Sequence, residues 1–199
     1  MLKKSALLIA LVLIIDQLLK VWIKTGLMLG QEIQILDWFI LHFTENKGMA
    51  FGMEFGGTIG KYMLSIFRIV AIVAIGIYWY KLAKTDIKKG IIYSISLILA
   101  GAIGNMIDSA FYGMIFSDSY GQIATVFQGG YSSFLQGNVV DMFYFPLVNG
   151  HFPDWFPVVG GNHFIFFRPV FNIADASIFT GTTIILLFYR KTFTTDVNI

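Results

Sequence analysis

The stretch FNIADASIFTGTTIILLFY, residues 171–189, sets an aspartate, Asp175, at the start of an apolar run long enough for a membrane-crossing helix. About 20 mainly apolar residues are needed to cross the hydrocarbon core. An ionisable side chain there costs several kcal/mol, so it marks a functional site by default once a partner is named. The bland alternative is a carboxylate in the first helical turn, where the helix dipole favours an anion.

The rest of the chain supports the membrane reading. Of 199 residues 56% are hydrophobic and 13% charged, against roughly 25% charged in soluble domains. Three more runs have span length: 5–23, 61–79 and 90–108. The fold expected is therefore an all-α membrane protein of four transmembrane helices, a single membrane domain over 1–199. The start resembles a secretory leader, but no small-residue cleavage site follows the apolar run, which reads as a retained first span. A net charge of +2 gives no footing for nucleic acid. The absence of cysteine excludes disulfides and thiol nucleophiles. His42, His151 and His163 make no metal-binding spacing, so no metal or other cofactor is expected.

Lysine and arginine stay on the cytoplasmic side. Lys3, Lys4, the KLAKTDIKK turn (81–89), Arg190 and Lys191 then place both termini inside, with segments 24–60 and 109–170 outside. The first of these has β-branched and aromatic residues and a turn at Asn46 to Gly48, as in short strands. The second is long and aromatic, as in a region lying at the membrane interface.

With that orientation Asp16, Lys20, Arg68, Asn105, Asp108, Asn172 and Asp175 all fall in the outer leaflet. Asp16 and Lys20, four apart, share a helix face and read either as an ion-paired clip or as a substrate contact. Asn105 and Asp108 share another face, where Gly101 and Gly104 allow close helix approach. Asn172 reads as an N-cap. Asp141, in GNVVDMF, is either a solvated turn residue or the partner of Asp175. Two nearby carboxylates share one proton, one serving as base and the other as acid. A transporter would carry polar residues through the full depth, and a scaffold would not need the acids.

Taken in order, DQLLK (16–20), ENKGMAFG (45–52), GNMID (104–108), GNVVDMF (137–143) and FNIADAS (171–177) resemble the motifs of the lipoprotein signal peptidases, also called signal peptidase II. The resemblance implies an aspartyl endopeptidase of the bacterial cytoplasmic membrane. Its substrate is a membrane-bound prolipoprotein, cut before a diacylglyceryl-modified cysteine. It implies Asp141 and Asp175 as the catalytic pair, with Asp16, Lys20, Asn46, Gly48, Asn105, Asp108, Asn172 and Ala174 at supporting or substrate-binding positions. It also implies a small outer-face β cradle and inhibition by globomycin; the partners expected are the prolipoprotein and membrane lipid, with the chain as a monomer. Two departures stand out. Ser109 occupies the place of an arginine that usually follows the GNxxD aspartate, leaving Arg68 and Arg168 as candidate cations. The segments flanking Asp141 are long, with an aromatic insertion over 109–137.

Overall fold

The computed structural model describes residues 1–48 and 57–194. Residues 49–52 of the ENKGMAFG motif lie outside the described residues. Among the described residues, four helices are long and apolar enough to cross a membrane: Leu2–Gly26, Gly57–Leu82, Lys89–Ile115 and Ile173–Thr192. The third runs past Asp108, where hydropathy ends the span, and Asp108–Tyr112 forms a widened π turn. One side of its last turns is covered: Ser109, Ala110, Tyr112 and Gly113 are buried, while Phe111 and Met114 are exposed.

The first helix is inside out by the standards of a soluble protein. It exposes Leu7, Leu11, Ile14, Ile15 and Leu18 and buries Ser5, Asp16, Lys20 and Lys24. Hydrocarbon around the bundle accounts for this arrangement, because polar groups there must find partners inside the protein. The third helix is central and packs against each of the other three. Glycine makes this approach possible. A Cβ at Gly101 would stand 2.2 Å from the Ala174 carbonyl oxygen, and one at Gly104 would stand 2.8 Å from Asp16 Oδ2.

A small antiparallel sheet has strand order β1-β2-β3-β6. Its strands are β1 (Glu32–Leu36), β2 (Phe39–Asn46), β3 (Val139–Tyr144) and β6 (Val170–Phe171). A separate hairpin pairs β4 (Val148–His151) with β5 (His163–Phe166). Between sheet and bundle a second core forms from Ile23, Leu27, Leu41, Phe43, Tyr112, Phe116, Ala124, Val140 and Met142. Residues from the 109–137 insertion are thus part of that core. Register then sets the site: Thr44 pairs with Asp141, and Phe143 pairs with Phe171. Because β6 runs directly into the fourth helix, this pairing brings Asp141 and Asp175 to one place.

Candidate active site

Asn172 caps the fourth helix. Its side-chain oxygen accepts the Asp175 N–H at 2.8 Å, while Asp175 Oδ2 accepts the Asn172 N–H at 3.4 Å. This reciprocal capping fixes the first turn. The same asparagine is fully buried and its amide donates to Asp141 Oδ1 at 2.6 Å and to the Val140 carbonyl at 3.2 Å. One residue therefore touches both acids. Asn105, on the third helix, donates to Asp175 Oδ1 at 2.7 Å and accepts from Asn172 at 3.1 Å.

Beneath the acids lies a buried ionic cluster. Lys20 Nζ is 2.9 Å from Asp16 Oδ2, 2.9 Å from Asp108 Oδ2 and 2.9 Å from Asn105 Oδ1. Asp16 Oδ1 accepts the Ala174 N–H at 2.9 Å, and Asp108 Oδ2 accepts the Val140 N–H at 3.1 Å. Each of these buried carboxylates holds the backbone immediately before Asp175 or Asp141. Gln17, absent from the sequence candidates, bridges the cluster by donating to Asp108 Oδ1 at 2.9 Å and Asp16 Oδ2 at 3.1 Å. Its position inside DQLLK was the available signal.

Asp141 sits in β3, outside the helices, and is 2% exposed. Burial, and then the charge of Asp175, push its carboxyl up to about 8, against the opposing pull of Lys20 and of hydrogen bonds from Asn46 and Asn172. Asn46 ends β2, and its side-chain oxygen also accepts the Gly48 N–H at 2.8 Å. Gly48 has φ +92°, a conformation that favours glycine.

A further buried lysine was not among the sequence candidates. Lys24 forms an ion pair with Glu45, donates to Ser119 Oγ at 2.9 Å and lies 4.8 Å from the centroid of the Tyr131 ring. Glu45 in turn accepts from Asn138 at 2.9 Å. Arg168 lines a cavity of about 480 Å³ with Glu32, His42 and Tyr144, a lining that includes neither Asp141 nor Asp175. His42 pairs with Glu32 at 2.7 Å, and the His151 and His163 rings are 5.2 Å apart. Among the described residues, no group of three or more histidine, aspartate or glutamate side chains is arranged to hold a metal ion.

The family model described as signal peptidase (SPase) II matches residues 8–191. A lipoprotein signal peptidase of Porphyromonas gingivalis is 50% identical over 196 residues, covering 96% of this chain and 84% of its own. One from Amoebophilus asiaticus is 41% identical over 181 residues, covering 89% and 73%. A solved bacterial membrane enzyme, determined by the in meso method, shares the fold with TM-score 0.61 at 23% identity, over 98% of this chain and 92% of that one. With a family model matched over nearly its whole length, and with these relatives, the chain belongs to the lipoprotein signal peptidases, the signal peptidase II family.

Proposed function

We propose that Asp141 and Asp175 are the catalytic pair of an aspartic endopeptidase that cuts immediately before a diacylglyceryl-modified cysteine. The chain is a peptidase that removes signal peptides from prolipoproteins. The observation that carries the aspartic reading is Asn172, which donates to Asp141 Oδ1 at 2.6 Å and accepts the Asp175 N–H at 2.8 Å.

The chemistry follows from proton placement. Asp141, with its carboxyl raised to about 8, holds the shared proton at neutral pH, and Asp175 accepts the proton of an attacking water. The water oxygen bonds to the carbonyl carbon of the residue before the cysteine, while Asp141 protonates the carbonyl oxygen. Collapse of the tetrahedral intermediate breaks the C–N bond: the proton held on Asp175 passes to the departing cysteine nitrogen, and one hydroxyl of the intermediate returns its proton to Asp141 as the carbonyl re-forms. The products are a signal peptide with a free carboxyl group and a lipoprotein beginning at the modified cysteine. Asn105 and Asn172 orient the pair, Asp16, Lys20 and Asp108 support it, and Ala174 presents the backbone N–H that Asp16 holds.

The site opens towards the outer face of the bacterial cytoplasmic membrane, in a single membrane domain that works as a monomer. Two features support the orientation. The lysine-rich turn and the helix ends beside Lys3, Lys4, Arg190 and Lys191 share one side, and the polar cluster lies at the opposite end of the bundle. The sheet and the 109–137 insertion form an outer cradle, and the same placement fits globomycin as an inhibitor competing with substrate. Single cysteines introduced at Thr85 and at the exposed Tyr120 test the orientation without background thiols: the cysteine at 120 should label in intact cells and the one at 85 should not. For the reaction, Asp141→Asn and Asp175→Asn should each accumulate uncut, lipid-modified precursor in cells. Normal processing by either well-folded variant would reject the aspartic pair.

A further inference from the structure

Arg68 is the one charged residue in the stretch YMLSIFRIVAIVAIGIYWY, 62–80, of the second helix. An arginine near the end of a span ordinarily extends its chain to reach the water interface. Here the guanidinium turns inward. Nη2 donates to the Gly48 carbonyl at 2.6 Å, and Nη1 lies 3.5 Å from Ser109 Oγ on the third helix. Ser109 is buried, and its own hydroxyl donates to the Asn105 carbonyl at 3.1 Å. The guanidinium also interacts electrostatically with Asp175.

The contact with Gly48 reaches the other acid. A Cβ at Gly48 would stand 2.8 Å from Arg68 Nη1, so the residue there must lack a side chain for the guanidinium to lie against its backbone. The Gly48 N–H is held by Asn46 Oδ1 at 2.8 Å, and the Asn46 side chain hydrogen-bonds Asp141. Arg68 thus closes a path from the second helix through the Asn46 to Gly48 turn to one acid, and faces the other acid with its charge.

We propose that Arg68 is a positioning residue for the reaction: it fixes the turn that delivers Asn46 to Asp141 and sets a permanent positive charge beside Asp175. The inference rests on the aspartate pair being catalytic. Its logic is that two carboxylates sharing a proton carry one negative charge, and a cation fixed beside one of them stabilises that charge there. The fork of arginine suits both tasks, because it can bond a carbonyl while presenting its charge elsewhere; lysine offers a single ammonium. Ser109 lies next to the guanidinium, so the space Arg68 fills is reachable from position 109.

This adjacency supplies the test. Purified Arg68→Lys, Arg68→Met and the double variant Arg68→Met/Ser109→Arg are compared in detergent on a diacylglyceryl-modified precursor, with Asp141→Asn as control. Misplacement of catalytic groups by about 1 Å costs roughly 10²-fold in rate. Arg68→Met should therefore lose about that much kcat, with KM within about threefold and thermal stability retained. The double variant should recover at least about tenfold, since a guanidinium re-enters the same space from the third helix. Arg68→Lys keeps a cation and should lose about tenfold in kcat; it decides the question if the double variant does not fold. Parent-like kcat in Arg68→Lys or Arg68→Met, or a folded double variant no faster than Arg68→Met, would overturn the proposal. An active Asp141→Asn control would instead overturn the aspartate pair itself.

Discussion

Asp16 accepts the backbone N–H of Ala174 at 2.9 Å, a bond that joins the first helix to the start of the fourth across 158 residues. Asp108 does the same for Val140 at 3.1 Å, and the Lys20 ammonium lies 2.9 Å from each carboxylate. The two acids proposed to carry the chemistry are thus each set by a buried acid one residue back along the backbone. One lysine pairs with both supports.

Removing the lysine should therefore be worse than removing either supporting charge. Leaving buried charge without its partner costs about 3 to 5 kcal/mol, and Lys20→Met strands two carboxylates. We expect that variant to unfold at a markedly lower temperature in detergent. Asp16→Asn keeps an oxygen for the Ala174 N–H and leaves Lys20 paired with Asp108, so it should retain measurable turnover. Thermal unfolding and cleavage of the two purified variants check the ranking.

The raised carboxyl of Asp141 gives a pH dependence with a definite sign. It is protonated up to about pH 8, so kcat/KM should fall as pH rises through that value, the limb reporting the coupled pair. In an unfolded chain an aspartate titrates near 4. A carboxyl raised in the folded state favours folding fully below that value, and the contribution is lost as pH climbs to about 8. Asp141→Asn lacks this loss, so its stability relative to the parent should improve between about pH 4 and pH 8. Paired melting curves at the two ends of that window measure it.

Close packing at the third and fourth helices predicts a steric effect distinct from any charge effect. Gly101→Ala would place a methyl carbon 2.2 Å from the Ala174 carbonyl oxygen, forcing the first turn of the fourth helix away. Overpacking of this kind typically costs about 1 to 3 kcal/mol. Both stability and turnover should fall, since Asp175 lies in the displaced turn. Gly26→Ala, where no atom lies within 4 Å of the added carbon, is the control and should stay close to the parent in both measurements.

Lys24 ties the 109–137 insertion to the sheet through Glu45 and Ser119. Lys24→Met should loosen that segment, seen as faster amide exchange over 116–131. If the insertion shapes access and carries no chemistry, KM should rise more than the single-turnover rate falls. Shortening 120–130 should act in the same direction.

The sequence shows some of this arrangement and conceals the rest for physical reasons. Carboxylates beside lipid stand out against apolar neighbours, which made Asp16, Asp108 and Asp175 legible, and the four-residue spacing of Asp16 and Lys20 allowed an ion pair as one of two readings. It could not announce Asp108 as the lysine's second partner, because that contact joins two helices distant in the chain. Hydropathy falls at Asp108 and Ser109, yet the helix continues to Ile115 because the insertion covers it. Lys24 read as a lysine of an outer segment; Glu45, Ser119 and the Tyr131 ring bury it only after folding. The β4–β5 hairpin was likewise hidden, its aromatic residues reading as an interface-lying stretch.

The central claim is that Asp141 and Asp175 act as one proton-sharing unit, and a double-variant comparison tests it most directly. Single-turnover cleavage of a diacylglyceryl-modified precursor is measured for the parent, Asp141→Asn, Asp175→Asn and the double variant, each first shown to be folded by its melting curve. Acid and base steps each contribute typically about 10² to 10⁴ in rate, and groups that act together are non-additive when removed. Each single variant should lose nearly all activity, and the double should be scarcely slower than either. Substantial cleavage by a folded single variant, or losses that multiply in the double, would contradict the claim.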